Sequence, residues 1–144
     1  MGVLHFIGLS CLTYYCTNCW KEIEKDRKVC PHCKSEQEQL GRETFVQKLI
    51  RALRHPEPET PIRAAYVLGR LHALDAVPEL INVIHESPDP YIAAACVEAL
   101  GGIGGGAALD ELKHILKLEH SVIVRRAVED ALMHHKASLS KKEI

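Results

Sequence analysis

Four residues have the types and spacing for metal chemistry: Cys16 and Cys19, then Cys30 and Cys33, two Cys-x-x-Cys pairs separated by ten residues. Thiolates two residues apart can turn together onto one cation, with the amides of the tight turn aimed at sulfur, and two such turns complete a tetrahedron. Without a cation the four thiolates would repel one another; a metal relieves that charge and lowers their pKa values. Zinc is the expected ion. Iron is less favoured, because an iron electron carrier usually accompanies a second redox centre and none is evident. With sulfur at all four positions no place is open to water, so the expected role is a structural staple. A redox dithiol would instead need a Cys-x-x-Cys opening a helix in a βαβ setting.

The other candidates for chemistry disperse along the chain. Cys96 falls on an apolar stripe and is expected to be a small buried hydrophobe, while Cys11 is either a stray thiol or packs beside the cysteine segment. His85-Glu86 resembles the His-Glu pairs of di-iron hydroxylases built on helical repeats, but those proteins use several pairs and this chain has one, with no counterpart at 117–118. His72, His114, His120, His134 and His135 share no repeat position. Solvated or helix-end histidines account for them. The stretch GIGGGA, residues 102–107, satisfies a Gly-x-Gly-x-x-Ala dinucleotide fingerprint in form only. That motif works between a strand and a helix, and no strand precedes it here.

The elements around these residues come from a repeat of 32 residues. Leu68, Leu100 and Leu132 align, and with them Ala64, Cys96 and Val128, then Val67, Ala99 and Ala131. Ala76 aligns with Ala108, Leu80 with Leu112, Ile84 with Leu116, and Pro56 and Pro58 with Pro88 and Pro90. Each unit reads as two amphipathic helices, because Ile92, Cys96, Ala99, Leu100 and Ile103 recur at steps of three and four. The prolines break the chain between units by excluding the preceding residue from the α region. Gly69 and Gly101 are expected to end or loosen the first helix of each pair. Phe45–Leu53 reads as a second helix with Phe45, Leu49 and Ala52 on one face, and a last first-type helix occupies roughly 121–136.

These units resemble HEAT-like repeats of the phycobilin-lyase type, through TPIRAAYVLGRLHALDAVPELINVI, DPYIAAACVEALGGIGGGAALDELKHIL and SVIVRRAVEDAL. The cysteine segment, with Tyr14 and Tyr15 entering the first knuckle, resembles a zinc ribbon. Trp20 and Lys34 stand where many ribbons have glycine. The resemblance implies an all-α fold: a short right-handed HEAT-like α-solenoid with a small N-terminal β zinc ribbon. It divides the chain into an apolar extension at 1–13, a ribbon at 14–37, helical repeats at 38–138 and a tail at 139–144. It also implies that second helices line the concave side, offering Glu79, Asn82, His85, Glu111, Lys113, His114 and Lys117 to a partner.

Composition bounds the function. Apolar residues make up 47% and aromatics only 5%, a balance that suits closely packed helices. The formal charge is −1, with five Lys/Arg against five Asp/Glu over residues 1–40. No basic excess exists to drive phosphate binding by counterion release, so nucleic acid is disfavoured as a partner. The apolar opening lacks a positive n-region and is too short to span a bilayer, which argues for a cytoplasmic chain with reduced thiols and no membrane. The reading that follows is a non-catalytic protein-interaction or scaffold module, not an enzyme, whose partner is another protein or peptide. A second copy could dock on an exposed repeat end at Ile123, Val128 and Leu132. The alternatives are an accessory subunit of a bilin lyase-like activity and a nucleic-acid-binding ribbon.

Overall fold

A computed structural model describes residues 14–37, 43–118 and 121–140. The expected extension at 1–13, with Cys11, lies outside the described residues, as do His120 and positions 141–144 of the tail. The chain divides into two compact units, Met1–Arg42 and Glu43–Ile144.

In the first unit, strands β1 (Tyr14–Tyr15) and β2 (Glu22–Ile23) form a two-stranded antiparallel sheet, with Tyr14 opposite Ile23 and Tyr15 opposite Glu22. A further antiparallel bridge joins Val29 to Glu36. The two cysteine turns therefore sit on equivalent short hairpins. Cys16 and Cys30 are the buried apolar side chains here. Among the described residues of this lobe no larger hydrophobic core forms, as expected for a segment below the size at which burial alone sustains a fold.

The second unit contains six described helices: α1 (Phe45–Ala52), α2 (Glu59–Arg70), α3 (Val77–Glu86), α4 (Pro90–Ile103), α5 (Gly106–Leu118) and α6 (Val122–Ser140). A 3-10 turn, Leu74–Ala76, leads into α3. Local chemistry sets several starts. Thr44 and Gln47 form a capping box ahead of α1: the Gln47 amide donates to Thr44 Oγ1 at 3.2 Å and the Thr44 amide donates to Gln47 Oε1 at 2.9 Å. Asp89 caps α4, accepting from the Tyr91 amide at 2.8 Å, with Pro90 at the first helical position, where no amide is needed.

Helices α2, α4 and α6 pack side by side, and α1, α3 and α5 pack onto them, so the repeats form two layers of a short all-α solenoid. Between the layers lie Leu68, Leu80, Val97, Leu100, Leu112, Ile115 and Val124, all buried. Their spacing is the 32-residue repeat made physical: Leu68 and Leu100 are one position in successive first helices, Leu80 and Leu112 one position in successive second helices. Cys96 is fully buried in this core, as its alignment with Ala64 requires, and burial pushes its thiol up to about 12, with a smaller contribution from the charge of Glu79. An inert neutral thiol results. Its retained proton contributes stability that is complete below the ordinary value of 9.0 and is lost as the pH rises towards about 12.

Three expectations change. Phe45 does not face the core; it is exposed, and α1 is held instead by Leu53 with Val46, Leu49 and Ile50. Val128 is fully buried against its neighbours, so it forms no part of an open repeat end, although Ile123 and Val122 on the same helix are exposed. Gly69 and Gly101 lie inside α2 and α4 rather than ending them. Their role is close approach: a Cβ on Gly69 would stand 3.0 Å from Ala99 Cα, and one on Gly101 would stand 2.7 Å from Ala131 Cβ. The turn itself is made by Gly104 and Gly105, with φ of 71° and 89°, the left-handed region that suits glycine. It follows helix α4, which rules out the strand-turn-helix context of a dinucleotide site.

Gly101 and Gly106 thus differ in sign on substitution. Gly101→Ala forces α4 and α6 apart and is expected to cost about 1–3 kcal/mol. At Gly106 nothing lies within 4 Å of an added Cβ, and Gly106→Ala is expected to gain about 0.4–1 kcal/mol through the unfolded state. Urea midpoints of the two variants measure this directly. Equal shifts in one direction would remove the close-approach argument.

Candidate metal centre and the second-helix face

The two cysteine turns are copies of each other. In the first, the Trp20 amide donates to the Cys16 carbonyl at 2.8 Å and the Cys16 amide to the Lys21 carbonyl at 2.9 Å; in the second, Lys34 donates to Cys30 and Cys30 to Ser35, both at 3.0 Å. The Asn18 amide donates to Cys16 Sγ and the His32 amide to Cys30 Sγ, each at 3.4 Å. Trp20 and Lys34, the residues at the glycine-preferring position of each knuckle, have φ of 60° and 62°. Both turns therefore carry the left-handed backbone that the ribbon geometry demands, on side chains that disfavour it.

These turns bring all four sulfurs together. Cys16 Sγ lies 3.6 Å from Cys33 Sγ, Cys19 Sγ lies 3.7 Å from Cys30 Sγ, and the four atoms all lie within 4.8 Å of one another. A tetrahedron with metal–sulfur bonds of about 2.3 Å has edges of about 3.8 Å. The cluster can hold a metal. Ionisation within it is uneven. The Ser35 hydroxyl, then its amide, then the Asn18 side chain hold Cys33 down to about 5. Burial is the largest influence on Cys16 and pushes its thiol up, but the amides of Cys19 and Asn18, with Ser35 and Gln37, outweigh it, and the net direction is downwards. Cys19 is pushed up to about 12 by desolvation, the largest influence; the Lys21 amide opposes the rise and the three sulfur neighbours add to it. Four neighbouring thiols cannot all ionise unaided, which is the electrostatic reason a cation fits here.

Gln37 and Ser35 had no part in the sequence reading. The Gln37 side-chain amide donates to Cys16 Sγ at 3.3 Å, and the Ser35 hydroxyl lies 2.9 Å from Cys33 Sγ. Such partners orient ligands and tune the ion. The one sequence signal was their place just past the second knuckle.

In the helical unit, the residues expected to meet a partner lie on α3 and α5, and the structure links most of them to one another. Glu79 pairs with Arg54 and accepts from Asn82 Nδ2 at 3.3 Å. His85 Nε2 lies 2.9 Å from Glu111 Oε1, and Lys113 Nζ lies 3.3 Å from Asp110 Oδ1. His114 and Lys117 are exposed. Arg54, unforeseen, is the organising cation: it also reaches Glu86 at 2.8 Å, and these two carboxylates, Glu79 foremost, push its guanidinium above the ordinary range. The repeat gave no signal for it, since at 32 residues Arg54 aligns with Glu86 and Leu53 with His85. The end of one second helix meets an acid at the start of the next, as Arg54–Glu79 and then His85–Glu111.

This face does not assemble a His-Glu metal set. His85 is engaged with Glu111 and Glu86 with Arg54; among the described residues, only the four cysteines bring three or more metal-ligating groups together. The residues present do not fit the multiple His-Glu pairs of a di-iron hydroxylase.

The family model for HEAT repeats matches residues 46–133, more than half of the chain. Two relatives are named deoxyhypusine hydroxylase. That of Saccharomyces cerevisiae is 34% identical over 91 residues, covering 62% of this chain and 26% of the relative. That of Schizosaccharomyces pombe is 30% identical over 90 residues, covering 62% and 28%. Among solved structures, human deoxyhypusine hydroxylase in complex with glycerol aligns with a TM-score of 0.59 at 28% identity, covering 64% of this chain and 32% of that one. The chain thus spans about a quarter to a third of the length of these proteins. These likenesses overturn the expectation of a non-catalytic scaffold and of a chain that is no enzyme, because the proteins it resembles carry the name of an enzyme. Their names are those of a hydroxylase, not of a bilin lyase. No described helix is long and apolar enough to cross a membrane.

Proposed function

Because the chain belongs to the HEAT-repeat family, we propose that it serves hydroxylase-type catalysis as one segment of a larger catalytic body, its second-helix face receiving a basic side chain carried by a protein. The observation that carries this reading is the 34% identity to a deoxyhypusine hydroxylase over 91 residues. The face has the matching chemistry. Glu79 and Glu86 share the cation Arg54, and Glu111 lies 2.9 Å from His85 Nε2. An incoming amine would exchange with these side chains and form charge-assisted hydrogen bonds to the same carboxylates. Glu79, Asn82, His85, Glu111, Lys113, His114 and Lys117 would then bind and orient the side chain and its carrier.

The oxidising centre that a hydroxylation needs is not assigned to this face, whose donors are engaged with each other. It comes from residues beyond those described, on the same polypeptide or another. The cysteine cluster has a different role: four thiolates around zinc leave no position open to substrate, so the ion folds the ribbon. Iron could occupy the same sulfurs, but a single tetrahedral iron carries electrons and would call for a second redox partner. A reducing compartment such as the cytoplasm suits free thiolates.

The test is made in the native host. Deleting the chain is expected to leave a deoxyhypusine-type side chain without its added oxygen, read by mass spectrometry of the modified peptide. Complementation with Glu79→Gln plus Glu111→Gln is expected to restore hydroxylation only partly. Full hydroxylation in the deletion strain would sink the proposal.

A further inference from the structure

The last helix, α6, breaks the pattern by which each first helix receives the next. Helix α2 meets α4 through Gly69, and α4 meets α6 through Gly101, the positions where an added Cβ would strike the neighbouring helix. Ile62 and Ala65 share the face of Gly69, and Ala94 and Val97 share the face of Gly101, at helical steps of three and four. All are small or apolar, and Ala65, Ala94 and Val97 are buried. One repeat of 32 residues further on, the same three positions of α6 are Arg126, Glu129 and Met133. The two charged residues are exposed, and Met133 is 60% exposed. A further helix of the same kind finds no line of small residues here to approach.

The replacements are ordered by sign. Arg125 and Arg126 precede Glu129 and Asp130 along α6, and all four are exposed. Spacings of four would allow pairs within the helix, yet among the described residues none of the four makes an ion pair. The block carries no net charge, and Lys136 stands more than a turn beyond it. Turned end for end, the block is its own complement. An antiparallel second copy of α6 places Arg125 opposite Glu129 of that copy, and Arg126 opposite Asp130 of that copy. Met133 then reaches the first turn of the facing helix.

We propose that this face of α6 docks a second copy of the chain, the two helices antiparallel about a two-fold axis. A two-fold contact needs a patch that complements itself, and this block meets that condition in both charge and order. Charges flanking a helix pair set its orientation, and here only the antiparallel arrangement sets each arginine against a carboxylate. One helix face with a single large apolar side chain makes a small interface, so the dimer is of micromolar rather than nanomolar strength. The contact is independent of the hydroxylase reading.

Sedimentation velocity of the full chain at about 100 µM in low salt is expected to show a dimer that dissociates as salt is added. Arg125→Glu with Arg126→Glu makes the block acidic throughout, and Glu129→Arg with Asp130→Arg makes it basic throughout. Each double variant is expected to sediment as a monomer. Mixed together, the two are expected to pair, and the variant with all four substitutions is expected to dimerise by itself. Helical circular dichroism should stay at its wild-type value in each, since the four positions are exposed. A monomeric wild-type chain at that concentration would overturn the proposal. A dimer kept by both double variants would place the contact elsewhere. Folded variants that fail to pair, in the mixture and in the fourfold exchange alike, would remove the charge complementarity on which it stands.

Discussion

Cys30→Ser is expected to reduce the metal content of the purified chain to background and to unfold the ribbon, while the helical circular-dichroism signal stays at its wild-type value. The buried apolar side chains among the described residues of this unit are the ligands Cys16 and Cys30 themselves. A metal held by the four cysteines would therefore stand in for a hydrophobic core. Binding of zinc to such four-ligand modules is worth about 10–16 kcal/mol near neutral pH. A hydroxyl in place of the Cys30 thiolate leaves three sulfurs and an unmatched position 3.7 Å from Cys19. The helices form a separate compact unit, Glu43–Ile144, with its own core. Elemental analysis beside circular dichroism reads both halves of the claim. Unchanged metal stoichiometry would remove the four-thiolate assignment, and a collapse of helicity would show the helical unit to depend on the ribbon.

Leu100→Ala is expected to destabilise the helical unit by about 2–5 kcal/mol, a large part of the roughly 5–15 kcal/mol by which a domain of this size is stable. Leu100 is fully buried on α4, the helix that packs against α2, α3, α5 and α6 at once. Neighbours on four sides cannot all relax into the space a leucine leaves, so the cavity persists and adds to the lost transfer energy. Thermal melting should shift down by about 10 °C or more. Val122→Ala is the control, since Val122 is 79% exposed and its loss removes almost no buried surface. A Leu100→Ala variant that melts with the control would mean that α4 is not the centre of the stack.

How legible this architecture was depends on the range of the interactions involved. The four cysteines that could hold a metal were evident because two Cys-x-x-Cys turns solve a local problem, and each turn closes within five residues, from Cys16 to Lys21 and from Cys30 to Ser35. The helices were evident for a related reason: a repeat places the same apolar step in successive units, so Leu68 predicts Leu100. What sequence spacing could not supply was the partner across a gap. Phe45 satisfies the helical period as well as Leu49 does, yet only packing against α2 decides that Leu49 is covered and Phe45 is not. Gly69 and Gly101 show the same limit in backbone form. A glycine late in a helical pattern reads as a stop signal, and only a neighbouring helix 3.0 Å from its absent Cβ reveals a contact surface.

The amino-acid order by itself determined the two cysteine turns and the helical repeat, both of which follow from regular local spacing. Tertiary structure alone decided the electrostatic partners. Arg54 finds Glu79 across 25 residues and His85 finds Glu111 across 26, because stacking brings the end of one second helix beside the start of the next. Charge pairing acts through space and carries no signature along the chain. The acid row on the second-helix layer exists only once the helices are stacked.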